Sequence, residues 1–123
     1  MHAFILQEWI TIRGGVTTVT QGEDGWLDLT AYQDLVFWVD CREVTGTTPQ
    51  ISFQTSPTKD ESLFTNVIAA ANLAASASPV VSKALLASAT VPIARYLRWQ
   101  IIGPAGTWDA TFRVLIAANS PGM

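Results

Sequence analysis

Hydrophobic and polar residues alternate along several short segments of the chain, which is the pattern of half-buried β-strands. The clearest segment, YLRWQII at 96–102, places leucine, tryptophan and isoleucine on one face and tyrosine, arginine and glutamine on the other. Residues 50–56 and 10–13 alternate in the same way. Residues 35–41 are apolar on both faces up to Asp40, which predicts a strand covered on both sides.

About seven to nine short strands follow from this pattern, at spacings of about 10 residues. No segment shows the regular strand–helix alternation of a parallel α/β sheet. We therefore predict an all-β fold, an antiparallel β-sandwich of jelly-roll-like type, as a single domain over residues 1–123. Residues 1–8 form either an N-terminal arm or the first strand. In the alanine- and serine-rich middle, we predict a loop or short helix at 70–77 and a strand at 80–87.

The composition limits the classes of protein to which this chain can belong. The chain has 123 residues, of which 49% are hydrophobic and 14% charged, against a usual charged share of about 25%. Such a neutral surface is often covered by partners, so we expect assembly. The net charge of -3 argues against a nucleic-acid partner. No apolar segment reaches about 18 residues, so we expect no membrane span. The N-terminal segment lacks the basic start of a signal peptide, so we expect synthesis in the cytoplasm without secretion.

Catalytic and metal-binding chemistry has few candidates. The one histidine, His2, lies at a terminus, where nothing holds it as a general base. The one cysteine, Cys41, lies in an apolar strand and is predicted to be a buried thiol. The acidic residues Glu23, Asp24 and Asp28 have no EF-hand spacing and are better explained by a solvated turn. We expect no enzyme activity, no cofactor and no metal.

Tryptophans and arginines supply the remaining candidates. Trp99 and Trp108 lie inside strong strands and are predicted to pack in the core or at a subunit interface. Trp26 follows the polar EDG segment and is the best candidate for an exposed ring on which a sugar stacks. If the segments at 96–102 and 108–117 form a hairpin, Arg98 and Arg113 lie near each other on one face. They would then pair with carboxylates of this chain, Asp40 or Asp109, or with those of a neighbouring chain.

Four segments carry a resemblance to a known family: GWLDLTAYQDLVFWVD, ISFQTSPTKDESLFTNV, VPIARYLRWQI and ATFRVLIAA. Their order resembles small jelly-roll-like β-sandwich structural proteins of tailed bacteriophages, the capsid decoration or cement proteins. The resemblance extends from Trp26 to Ala118. The RYLR segment also resembles discoidin-type sandwiches, many of which bind carbohydrates or lipid surfaces.

The phage resemblance implies a non-enzymatic virion protein that stabilises the head through contacts with neighbouring shell subunits. Its partners would be the major capsid protein or other virion proteins, and it would form a homo-oligomer, a trimer matching the local symmetry of the shell. The apolar HAFIL segment would add a strand to a partner's sheet edge. The alternative is a discoidin-like carbohydrate-binding module that uses Trp26. The predicted partner-contact residues are Phe4, Ile5, Leu6, Trp9, Arg98 and Arg113.

Overall fold

The structure, a computed structural model, describes residues 2–14, 18–30, 32, 34–74, 80–84, 93–103 and 106–119. The described part contains short 3-10 turns at Glu23–Gly25 and Glu61–Leu63, and no helix that is long and apolar enough to cross a membrane. The strands in chain order are β1 His2–Gly14, β2 Thr18–Thr20, β3 Leu27–Asp28, β4 Asp34–Gly46, β5 Gln50–Ser56, β6 Thr65–Asn72, β7 Val80–Ala84, β8 Tyr96–Ile102 and β9 Trp108–Asn119.

These strands form two antiparallel sheets packed face to face. Sheet A has the order β1-β9-β4-β7, and sheet B has the order β2-β8-β5-β6, with β3 also paired to β8. The chain crosses between the sheets repeatedly, while β5 and β6 are neighbours in both sequence and space. When β2 and β3 are counted as one interrupted strand, this is the eight-stranded order of a jelly roll. The predicted all-β antiparallel sandwich is confirmed.

The core lies between the two sheets and is filled by alternate side chains of their strands. Phe37 of β4 stacks on Phe53 of β5, with ring centroids 4.2 Å apart. Trp99 of β8 meets Phe112 of β9 edge-on at 5.4 Å. Further residues predicted to be buried, which the structure also places in the core, are Cys41 and Trp108.

The middle of the chain differs in part from the prediction. Strand β6 continues to Asn72, so residues 70–72 are extended rather than loop or helix. The reason is pairing with β5, in which Gln50 lies opposite Asn72 and Ile51 opposite Ala71; this ladder outweighs the helix preference of alanine. The predicted strand at 80–87 is present as β7, whereas residues 75–77 and 85–87 lie outside the described residues.

The predicted hairpin of β8 and β9 is wrong. Strand β8 belongs to sheet B and β9 to sheet A, so Arg98 and Arg113 lie on opposite outer faces of the sandwich. Each strand has one apolar face, and the two faces cover the same core from its two sides. A hairpin within one sheet and a crossing between sheets both bury these apolar faces, so local alternation does not distinguish them. The strand order of the whole sandwich places β8 and β9 in different sheets.

Candidate functional site

The outer face of sheet A carries an apolar row that crosses all four strands. Strand pairing places Ile5 beside Leu115, Leu115 beside Trp38, and Trp38 beside Val81. Ile5 and Val81, at the two ends, are 52% and 50% exposed. We call this outer face the A face; it comprises the apolar row, the flanking residues Ala3, Val36 and Ala117, and a polar end formed by Trp9, Asp40, Arg42 and Arg113.

A groove of about 530 Å³ follows the apolar part of the A face. Its walls are aliphatic and aromatic, from β1, β4 and β9. The groove is broad and open to solvent. The groove therefore has room for several side chains. The residues that line it are Ala3, Phe4, Ile5, Trp38, Leu115, Ile116 and Ala117.

The polar end of the A face is built around Asp40. Its side chain points away from the core, yet the residue is 0% exposed. Arg42 donates from Nε to Asp40 Oδ1 at 2.7 Å and from Nη2 to Oδ2 at 3.3 Å. Arg113 donates from Nε to Oδ2 at 3.0 Å. The Trp9 ring lies over both guanidinium groups, with its centroid 4.9 Å from Arg113 Cζ and 6.0 Å from Arg42 Cζ. Two arginines and an indole thus shield the carboxylate from water.

The electrostatics of this cluster follow from its geometry. Burial by itself raises the pKa of the Asp40 carboxyl, but the hydrogen bonds and positive charges of Arg42 and Arg113 outweigh it and hold that pKa below its usual value. Two guanidinium groups share one carboxylate, so the cluster carries a net positive charge. Both arginine side chains stay partly exposed, and their outer N–H groups are placed to meet a further acceptor.

The predicted contact residues of β1 fall into two groups, those on the A face and those that face the core. Ile5 and Trp9 lie on the A face, and Arg113 joins them from β9. Leu6 is buried, and its carbonyl accepts a hydrogen bond from Gln21 Nε2 at 2.6 Å. Phe4 packs against the core edge and meets the ring of Tyr32 at 5.2 Å. Residues 2–5 and 7 pair with β9 of the same chain, so this segment belongs to its first strand.

Arg98 lies on the outer face of sheet B, far from Arg113, and is only 3% exposed. Its guanidinium lies 3.9 Å from the ring centroid of Phe64 and 5.3 Å from that of Trp26. It donates to Gln54 Oε1 at 2.9 Å and to Glu61 Oε1 at 2.5 Å. Arg98 is thus used within its own chain, where it ties the Glu61–Leu63 turn to the sheet.

Trp26, the sugar-stacking candidate, is half-buried in the same cluster. Its indole N–H donates to the carbonyl of Gln21 at 2.8 Å, and its ring meets Phe64 edge-on at 4.8 Å. Beside it, the outer face of sheet B is polar. Side-chain hydrogen bonds link Asn66, Gln54, Gln100 and Thr20 in a row across four strands. The two outer faces of the sandwich therefore differ: one is polar, and the A face is largely apolar.

The residues considered for catalysis or metal binding have structural roles or are buried. Asp28 accepts hydrogen bonds from Thr30 and pairs with Arg95 at 3.2 Å. Burial raises the pKa of the Cys41 thiol, which disfavours the reactive thiolate. Across the described ranges, no group of three or more His, Cys, Asp and Glu side chains is arranged to hold a metal ion.

Arg42, which was not predicted as a functional residue, is a partner of Asp40. A signal was present, since Arg42 follows Asp40 by two residues and therefore shares its face of the strand. A carboxylate on a largely apolar strand requires such a partner. The covering role of Trp9 had no comparable signal, because Trp9 reaches the cluster from a different strand.

Comparison with known proteins gives one solved structure that supports the fold. No protein-family model matches the chain, and no curated protein matches it. A chain in the structure of infectious bursal disease virus Gx strain is similar with a TM-score of 0.50 and 15% identity, over 98% of this chain and 33% of that one. This chain thus spans about a third of the viral chain. A chain from the structure of Bacillus endospore appendages, described as a family of disulfide-linked pili, has a TM-score of 0.45 and 13% identity, over 94% of this chain and 88% of that one.

Proposed function

We propose that this chain is a non-enzymatic structural protein of a virus particle, a capsid decoration protein of the tailed-phage type. It binds the outside of a shell and stabilises contacts with neighbouring shell subunits. The observation that carries the proposal is the A face, where an apolar row crosses a whole sheet and a positively charged cluster lies beside it. Contiguous apolar surface bordered by polar groups is typical of protein interaction sites.

The shared jelly-roll topology supports the same proposal. The neighbour with a TM-score of 0.50 comes from a virus structure, and jelly rolls are common in viral capsid domains. Fold alone does not imply function, so the proposal rests mainly on the surface. The proposed partners are the major capsid protein or other virion proteins, together with further copies of this chain.

Strand β1 supplies a second contact in this proposal. It forms the outer edge of sheet A, and no strand in the described part of the chain pairs with its other side. An unpaired edge accepts a strand from a partner through main-chain hydrogen bonds. Ile5 and Trp9 on the same strand then contribute apolar and aromatic contacts from the A face.

The test uses virus particles purified from the source of the sequence on a density gradient. We expect an antiserum against the purified chain to label intact particles in immunogold electron microscopy. We also expect added wild-type protein to co-sediment with particles stripped of it, and Ile5→Glu to co-sediment less. Labelling that appears only after the particles are broken, or on no particle, would contradict a decoration role.

A carbohydrate-binding module remains the competing function. In the structure, Arg98 and Phe64 contact the Trp26 ring, and its N–H is already bonded. We therefore expect no signal for the purified protein on a glycan array. Binding that disappears in Trp26→Ala while the variant stays folded would favour the carbohydrate module instead.

A further inference from the structure

A partner complementary to the A face must present apolar and negatively charged groups close together. The apolar row and the Asp40 cluster are adjacent, because Trp38 and Asp40 follow each other on one face of β4, and Leu115 and Arg113 do the same on β9. The groove favours an aliphatic side chain, and the partly exposed guanidinium groups of Arg42 and Arg113 favour a carboxylate. A complementary surface must therefore place both groups within a few ångströms of each other.

This chain presents such a surface at its second 3-10 turn. Leu63 is 45% exposed, and the exposed residues Asp60 and Glu61 precede it by three and two positions. Elsewhere in the described ranges, the large exposed apolar residues lie on the A face, beside it at Val80, or at Ile102 on the far end of sheet B.

The turn is held in shape before any contact forms. The Asp60 carboxylate accepts hydrogen bonds from the backbone N–H of Ser62 at 3.0 Å and from its hydroxyl at 2.8 Å. Buried Arg98 holds Glu61 at 2.5 Å. The cation of the same turn, Lys59, pairs with Glu23 of the other 3-10 turn at 3.6 Å. A preformed turn loses little conformational entropy on binding.

We propose that the A face binds the Asp60–Leu63 turn of a second copy of this chain. Leu63 enters the groove, and the Asp60 carboxylate meets the outer N–H groups of Arg42 and Arg113. The turn belongs to sheet B and the A face is the outer surface of sheet A, so the contact is between molecules. It is heterologous, and repeated copies build a closed ring or an open filament. The inference rests on the proposed structural role and names its self-assembly contact.

Two variants test the groove and the turn, the two sides of this contact, one at a time. Ile5→Glu places a charge in the groove and leaves the turn intact, and Leu63→Glu changes the turn and leaves the groove intact. Both side chains are exposed, so both variants should fold. Ala3→Glu, at another exposed residue that lines the groove, is the replacement for Ile5→Glu if that variant does not fold. Ile102→Glu is the matched control, an exposed apolar residue outside both surfaces.

The measurement is solution mass by light scattering after size-exclusion chromatography, with circular dichroism as the check on folding. We expect wild type and Ile102→Glu to form the same oligomer, and Ile5→Glu and Leu63→Glu each to be monomers of 13.3 kDa. When the two monomeric variants are mixed in equal amounts, one intact groove meets one intact turn. The mixture should form a species of twice that mass and stop there.

Three results would overturn the inference: a monomeric wild type, a Leu63→Glu variant with the wild-type mass, or a mixture that stays monomeric. A symmetric contact between two A faces would give the second result. None of these results decides the particle-labelling experiment. If the chain decorates particles as a monomer, the proposed function holds and this contact is wrong. If the chain forms rings but is absent from particles, this contact holds and the proposed function is wrong.

Discussion

At the scale of single residues, Asp40 shows how a charged side chain is accommodated on an outward-facing strand position. Arg42 and Arg113 supply three hydrogen bonds to its two oxygens, and Trp9 covers the guanidinium groups. A buried carboxylate is stable only when its charge and its lone pairs are both satisfied. The cluster also orients two arginines on the proposed interaction face.

The lowered pKa of Asp40 predicts acid sensitivity. Between the ordinary carboxyl pKa, about 3.9, and the lower folded value, the unfolded chain binds more protons than the folded one. The stabilisation is therefore complete above the ordinary pKa and is lost as the pH falls through the folded value. We expect Asp40→Asn to lose about 2 kcal/mol at pH 7 and to show a shallower decline below pH ~4.

Urea unfolding followed by tryptophan fluorescence over a pH series measures both effects. Asp24→Asn, at an exposed position of the first 3-10 turn, is the control and should keep the wild-type profile. An Asp40→Asn profile parallel to that of wild type at every pH would contradict this account of Asp40.

At the scale of elements, Arg98 joins the second 3-10 turn to sheet B. Its guanidinium packs against two aromatic rings and bonds to side chains from β5 and from the turn. Arg95 lies nearby in sequence and also forms an ion pair, with Asp28, but both partners of that pair are about half exposed. The same residue type thus has a structural role in one place and a solvated one in the other.

This contrast predicts unequal effects of the same substitution. Arg98→Ala removes the cation–π packing and two charge-assisted hydrogen bonds, and we expect a loss of about 2–3 kcal/mol. Arg95→Ala breaks an exposed pair and should cost less than about 1 kcal/mol. Free energies of unfolding from urea titrations of both variants give the comparison. Equal losses would mean that burial of Arg98 contributes nothing to stability.

At the scale of the whole molecule, stability depends on packing between the two sheets. The Phe37–Phe53 stack joins the middle of sheet A to the middle of sheet B. Most of the sheet pairings connect residues far apart in the sequence, so neither sheet is complete without distant parts of the chain. We therefore expect the two sheets to unfold together.

Core truncation tests this dependence. Phe37→Ala should cost about 3–5 kcal/mol because it leaves a cavity between the sheets. Val36→Ala, the adjacent residue on the A face, should cost about 1 kcal/mol or less because its side chain is already partly in water. Fluorescence and far-ultraviolet circular dichroism should give coincident urea transitions for both variants. Separate transitions would show that the sheets unfold independently.

Strand positions and core residues were predicted well because alternation with a period of two is a local property. Trp99, Trp108 and Cys41 are buried as their strands indicated. The prediction at residues 70–72 was wrong because the helix preference of alanine is weaker than a ladder with β5. Of the predicted contact residues, Ile5, Trp9 and Arg113 lie together on the A face. Arg98 lies on the other sheet, buried and bonded to side chains of its own chain.

By itself, the sequence determined that this protein is a small all-β sandwich with alternating buried faces, because each strand carries its own pattern of apolar residues. Only the tertiary structure decided which sheet each strand joins, and therefore which arginines meet. Arg113 reaches Asp40 across 73 residues, and Arg98 reaches Glu61 across 37. Such pairings depend on strand order, which no local pattern encodes, and so the A face became visible only when β1, β9, β4 and β7 were assembled.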